Sequence, residues 1–298
     1  MKSDGRAPSA DPLVYLNGAC LPKSEARISP DDRGFLFGDG VYEVVRAIGG
    51  RMVDLDRHLA RLTGGAAALG LALDRVGGAE CVARVWGRLL EATRLTHGEA
   101  LCYAQLTRGA APRAHAYPVP DTPPTLYAFA QPLAPPDALR ETGAAVVTHP
   151  DLRWARCDLK TVNLLPNVMA KQAAAAAGAF EAVLVRGGGP GGGVVTEASH
   201  SSLFAVVAGE LRTHPLGPHI LPGVTRAVVL ELARALGVPA REEAVTLDEL
   251  RAADEVLLAS TSADVMPVVA VDGRPVADGA PGPVARRLAA AMAERLGR

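Results

Sequence analysis

Three prolines, at 132, 135 and 136, interrupt the middle of a 298-residue chain. Proline fixes φ and removes a backbone donor, so neither a helix nor a central strand runs through such a stretch, and an extended connector is expected over 131–137. The connector separates a smaller segment over 13–130 from a larger one over 138–298, each long enough to bury its own core. Residues 1–12 carry charge and no periodic pattern and are expected to be a flexible tail.

Both segments mix a period of two with a period of 3.6. Alternation over 13–17 ends at Asn17-Gly18, a hairpin signal, and the valine-rich run over 41–48 ends at Gly49-Gly50. Leu55, Leu59, Leu62, Ala66 and Leu69 recur at helical spacing behind Asp54, a candidate N-cap. Val82, Val85, Trp86, Leu89 and Leu90 give a second helix over 80–95, and strands are expected over 101–107 and 125–130. Beyond the connector the pattern predicts strands over 144–148, 181–186, 194–197, 256–260 and 267–271, with helices over 163–177, 223–236 and 283–296. Thr246 and Glu249 have the spacing of a capping box, and GGGPGGG at 187–193 has that of a flexible hairpin tip. Without the regular alternation of a doubly wound sheet or an internal repeat, the class expected is α+β.

Composition narrows the function. With 31 basic against 32 acidic residues, no polyanion-binding surface is indicated, and nucleic acid is not expected as a partner. Apolar runs stop far short of a membrane span and no secretory segment follows the charged start, so a soluble cytoplasmic protein is expected. Cys20, Cys81, Cys102 and Cys157 stand apart with no CxxC pair, so they are expected to be core thiols, and the seven histidines show no metal-ligand spacing. Only Lys2, Lys23, Lys160 and Lys171 are lysines. Arginine cannot condense with an aldehyde, so any lysine that chemistry requires must survive such a bias.

Lys160 lies in DLRWARCDLKTVNLL at 151–165, between a charged stretch and the start of an apolar helix. Loss of solvation beside an apolar wall favours a neutral, nucleophilic amine; a surface position at a loop end is the plainer alternative. Lys171, inside an alanine-rich helix, is expected to be solvated. Glu197 ends a strand before a cluster of hydroxyls, and LPGVTR at 221–226 places Gly223, Val224 and Thr225 at a helix N-terminus, where free N–H groups can hold a phosphate. Arg113 and His115 stand two apart in a loop punctuated by proline and glycine, a spacing that can clamp a carboxylate and equally suits a solvated basic loop.

In this order the motifs resemble the fold-type IV pyridoxal-phosphate aminotransferases, most specifically through DDRGFLFGDGVYEVV at 31–45, TRGAAPRAH at 107–115, the segment around Lys160, LPGVTR, and ASTS at 259–262. The resemblance implies a two-domain fold with pyridoxal 5'-phosphate held as a Schiff base on Lys160, which also shuttles the substrate proton. It implies Glu197 at the pyridine nitrogen, Arg61, Val224, Thr225 and Thr261 on the phosphate, and Leu221 against the ring. Tyr42, Arg113 and His115 would grip the substrate carboxylate, the last two from the partner subunit of a homodimer. The activity implied is transfer between a D-amino acid and a 2-keto acid. An (R)-amine or L-branched-chain transaminase, an aminodeoxychorismate lyase, or a silent cofactor-binding protein are the alternatives. The chain departs from the family after Glu197, where Ala198, His200 and Ser202 replace a glycine, a serine and an asparagine.

Overall fold

The computed structural model describes residues 11–119 and 122–298; most of the tail expected over 1–12 lies outside the described residues. The chain forms two compact units. One runs as far as Leu133 and also takes in Lys160–Val162, and the other comprises Ala134–Leu159 and Asn163–Arg298. Lys160, which falls in the second segment by sequence position, therefore clusters with the first unit.

The first unit contains β1 (Leu13–Leu16), β2 (Ala19–Pro22), α1 (Arg33–Phe37), β3 (Gly40–Ile48), β4 (Arg51–Met52), α2 (Leu55–Leu69), α3 (Gly78–Ala92), β5 (Glu99–Thr107) and β6 (Thr125–Pro132). Its six strands, among the described residues, form an antiparallel sheet in the order β2-β1-β6-β5-β3-β4. One face is apolar because alternate positions are: Val41 and Val45, then Ala100, Cys102, Ala104 and Leu106, then Leu126 and Ala128. Against them pack Leu62 and Ala66 of α2, and the whole predicted stripe of α3, whose Val82, Val85, Trp86, Leu89 and Leu90 are all buried. Trp86 satisfies its indole N–H on the Tyr103 carbonyl at 3.0 Å. The turn at Asn17 and Gly18 has φ of 46° and 103°, as a tight hairpin requires. Asp54 stands at the N-cap of α2 in a left-handed conformation and makes no side-chain capping bond, so its expected capping role is corrected.

The second unit contains α4 (Asp137–Thr142), β7 (Ala144–Pro150), α5 (Leu165–Ala176), β8 (Glu181–Arg186), β9 (Val194–Ala198), β10 (Ser202–Val207), β11 (Glu210–Thr213), α6 (Val224–Ala235), β12 (Ala240–Glu242), β13 (Val245–Thr246), α7 (Leu247–Arg251), β14 (Glu255–Ser260), β15 (Asp264–Val271), β16 (Arg274–Pro275) and α8 (Pro283–Leu296). Its mixed sheet has the order β12-β11-β10-β14-β15-β7-β8-β9-β13, with β16 on β15 and parallel pairing of β7 with β8 and β15. Its central strands are covered on both faces and so read as nearly continuous apolar runs. The class is α+β, as expected.

Several local signals are realised here. Thr246 and Glu249 make both bonds of the capping box, and the glycine run closes the β8–β9 hairpin. Glu255, from β14, caps α8 by accepting from Val284 N and Ala285 N at 2.9 and 2.8 Å. Of the four cysteines expected in the core, Cys102 and Cys157 are buried there, whereas Cys81 is half-buried and Cys20 is exposed.

Candidate active site

In the first unit, residues 160–162 run beside the start of β3. Tyr42 N donates to the Lys160 carbonyl at 2.9 Å and Val162 N to the Gly40 carbonyl at 3.1 Å, which ties the lysine backbone to β3 through an isolated bridge between Thr161 and Val41. The Lys160 ammonium stands 4.2 Å from the centre of the Tyr42 ring, and that ring stacks on Tyr103, which stacks on Phe129. Lys160 is thus half-buried on an aromatic face. Behind it the fully buried Glu43 accepts from Arg61 Nε and Nη2 at 2.9 and 2.7 Å, and lies 3.0 Å from His58 Nδ1. Burial alone would raise this carboxyl, but Arg61, the His58 hydrogen bond and the charge of Lys160 hold it at about 2. Arg61, expected on a phosphate, therefore carries a two-point ion pair with Glu43.

Arg113 and His115 are exposed on the loop after β5, both against the Phe37 ring, at 5.2 and 5.7 Å. No bond joins either to Tyr42 or Lys160 among the described residues.

In the second unit, β9 delivers Glu197 into a buried position, where its Oε2 accepts from Arg153 Nη1 at 2.6 Å and from Leu221 N at 3.1 Å. Its Oε1 makes no hydrogen bond among the described residues. Arg153 also grips Asp151 with Nε and Nη2, both at 3.0 Å, and donates to the His219 carbonyl at 3.1 Å. Burial pushes the Glu197 carboxyl up, opposed by Arg153 and the Leu221 N–H. Asp151 is held at about 2, where the bonds and charge of Arg153 outweigh burial. Two residues past Leu221, Gly223 opens α6 with no side-chain cap bond, so the first N–H groups of the helix remain open. A Cβ at Gly223 would stand 2.8 Å from Ser202 Oγ. Ser202 pairs with Ala259, two residues before Thr261, so the start of α6 lies beside the ends of β10 and β14, with Leu221 bonded to Glu197.

The departures after Glu197 have a partner that sequence reading missed. Fully buried Glu181 accepts from the Ser199 and Ser201 hydroxyls and from His200 N, and His200 Nε2 lies 3.2 Å from it. Arg153 was also missed. Lys171, expected to be solvated, is half-buried and bonds the Phe180 carbonyl.

A family model for amino-transferase class IV matches residues 40–271. The chain belongs to the class IV aminotransferases. A D-alanine aminotransferase of Staphylococcus aureus (strain MSSA476) is 40% identical over 92% of this chain and 94% of its own length. The D-alanine aminotransferase of Bacillus licheniformis is 41% identical over 94% of this chain and 95% of its own. Among solved structures, a branched-chain amino acid aminotransferase from Thermoproteus uzoniensis with norvaline superposes with a TM-score of 0.79 at 26% identity, covering 94% of this chain and 93% of that one. A second branched-chain amino acid aminotransferase, solved with pyridoxamine 5'-phosphate, superposes with a TM-score of 0.82 at 28% identity, covering 95% of this chain and 93% of that one. Class IV aminotransferases are pyridoxal-phosphate enzymes, and this chain's residues fit that group. The second oxygen of Glu197, engaged by no protein donor among the described residues, suits a protonated ring nitrogen, and the uncapped N–H groups at the start of α6 suit a phosphate. No helix among the described residues is long and apolar enough to cross a membrane.

Proposed function

We propose that this class IV aminotransferase moves the amino group of a D-amino acid to a 2-keto acid, with Lys160 and Glu197 serving one pyridoxal phosphate. The observation that carries the reading is the Glu197 carboxylate, held by Arg153 and Leu221 N beside the open first turn of α6. The 40% identity to D-alanine aminotransferases supports the choice of substrate.

When bound, the cofactor supplies an aldehyde and a ring that accepts electrons. Lys160 would hold that aldehyde through its amine and would take the proton from the substrate Cα. Glu197 keeps a proton on the ring nitrogen, and Arg153 and Leu221 N hold Glu197 in place. Val224, Thr225 and Thr261 would hold the phosphate, Arg61 would join them while its Nε and Nη2 stay on Glu43, and Leu221 would pack on the ring. Tyr42, Arg113 and His115 fix the substrate carboxylate, so that one enantiomer alone turns its α-proton to Lys160. The exposure of Arg113 and His115, and of Phe35, Tyr117 and Val119 near them, supports a homodimer in which this loop serves the partner. A cytoplasmic location belongs to the same proposal.

The holoenzyme should lose its cofactor absorbance on addition of D-alanine and not of L-alanine, and borohydride reduction with peptide mapping should label Lys160. Label elsewhere, or turnover by Lys160→Ala, overturns the reading. Faster reaction with L-leucine transfers it to branched-chain substrates.

A further inference from the structure

The segment DDRGFLFGD supplies no group to the chemistry above, yet it is folded around the loop that carries Arg113 and His115. We propose that Arg33 is the positioning residue for that loop, setting the two side chains that meet the substrate carboxylate; this rests on the substrate reading above. The loop has little to hold it by itself: residues 112–117 are all exposed, and ordering it costs conformational entropy at each position. Arg33, by contrast, is 3% exposed. Its Nη1 donates to the Ala114 carbonyl at 2.6 Å and reaches the Ala116 carbonyl at 3.3 Å, and its Nη2 reaches the His115 carbonyl at 3.4 Å. Three consecutive carbonyls thus converge on one planar fork.

The fork is itself fixed. Arg33 Nε donates to Asp39 Oδ2 at 2.8 Å, and Arg108 donates to both oxygens of the same carboxylate at 2.8 and 3.0 Å. Arg108 also ties to the end of α2 through the Leu69 and Gly70 carbonyls. Burial would raise the Asp39 carboxyl, but its bonds to Arg108 and Arg33 hold it below the usual value.

The short helix α1 makes this arrangement possible. Asp32 caps it by accepting from Gly34 N at 2.8 Å and also takes the Thr107 hydroxyl at 3.0 Å, while Gly38 closes it at φ 67°. Phe37, its last residue, lies 4.7 Å from the Arg33 guanidinium and meets Arg113 and His115 on the same ring. Backbone and side chains of the loop are therefore set by two residues of one turn, before any substrate arrives.

Arg33→Lys keeps the charge and loses the fork. In the holoenzyme we expect KM for D-alanine to rise at least tenfold with kcat within threefold, and amide exchange over 113–117 to accelerate. Phe37→Leu should act in the same direction and serves if Arg33→Lys does not fold. A fall in kcat with KM unchanged, or faster exchange with KM unchanged, overturns the proposal. So does an unchanged exchange rate. Arg113→Ala in the same assay separates the two readings: if its KM stays at the wild-type value, the carboxylate assignment falls, and the exchange data alone decide whether Arg33 orders the loop.

Discussion

Arg153 and Glu197 meet at 2.6 Å with both side chains almost wholly buried, although 44 residues separate them. Removing one member of such a pair leaves the other charged and without compensation, at a cost of about 3–5 kcal/mol. Arg153→Gln should therefore lower the melting temperature sharply and also weaken retention of pyridoxal phosphate. Differential scanning calorimetry and equilibrium dialysis measure the two effects. A variant that melts with the wild type would show that Glu197 does not depend on Arg153.

Glu43 and Asp151 predict the acid limb of stability. Both carboxyls lie lower in the folded chain, at about 2 against ordinary values of 4.5 and 3.8. A depressed carboxyl stabilises the fold fully above its unfolded value and loses that contribution as pH falls through the folded one. Unfolding free energy should thus decline steeply from about pH 4.5 down to about pH 2. In Glu43→Gln, denaturant titrations across that window should give a shallower decline; an unchanged slope would remove Glu43 from the account.

The hairpin tip offers a paired test of backbone strain. Gly193 has φ 99°, and a Cβ there would stand 2.6 Å from the Gly187 carbonyl oxygen, whereas nothing lies within 4 Å of a Cβ at Gly188. Gly193→Ala should destabilise by about 1–3 kcal/mol, and Gly188→Ala should be neutral or stabilise by about 0.4–1 kcal/mol. Equal denaturation midpoints for the two variants would contradict this.

Glu181 should matter more than the histidine beside it. Glu181→Leu leaves the Ser199 and Ser201 hydroxyls and His200 N without an acceptor, at about 1–3 kcal/mol for each buried group left unpaired. His200→Ser, which restores the family's residue at a half-exposed position, should shift the melting point by only a few degrees. If thermal melts rank these two variants the other way, the turn after Glu197 is held by something else.

Local periodicity made much of the fold legible. The α3 stripe, the Asn17-Gly18 turn and the Thr246–Glu249 box depend on neighbours in sequence, and each appears where the pattern puts it. β10 and β11 are not predicted by the pattern, although their run breaks at Ala208-Gly209, a turn with both residues at positive φ; β10 is covered on both faces and carries no alternation to read, and β11 has only four residues over which to show one. α1 has five residues and no apolar stripe, and its form depends on Asp32, Gly38 and the distant Thr107. In the candidate site the order of motifs brought Glu197, Leu221 and Val224 into view. Arg153, Glu43 and Glu181 stayed hidden because their partners lie 15 to 44 residues away, and a salt bridge at that range leaves no periodic trace.

The tripeptide 160–162, bonded to Gly40 and Tyr42, has a consequence for dissection of the molecule. A gene cut after Leu133 would put Lys160, the amine proposed above for the cofactor, on a fragment that lacks β3, while the complementary fragment would keep β3 and have no such amine. Neither half alone should turn over substrate, and co-expression that lets the tripeptide find β3 again should restore turnover.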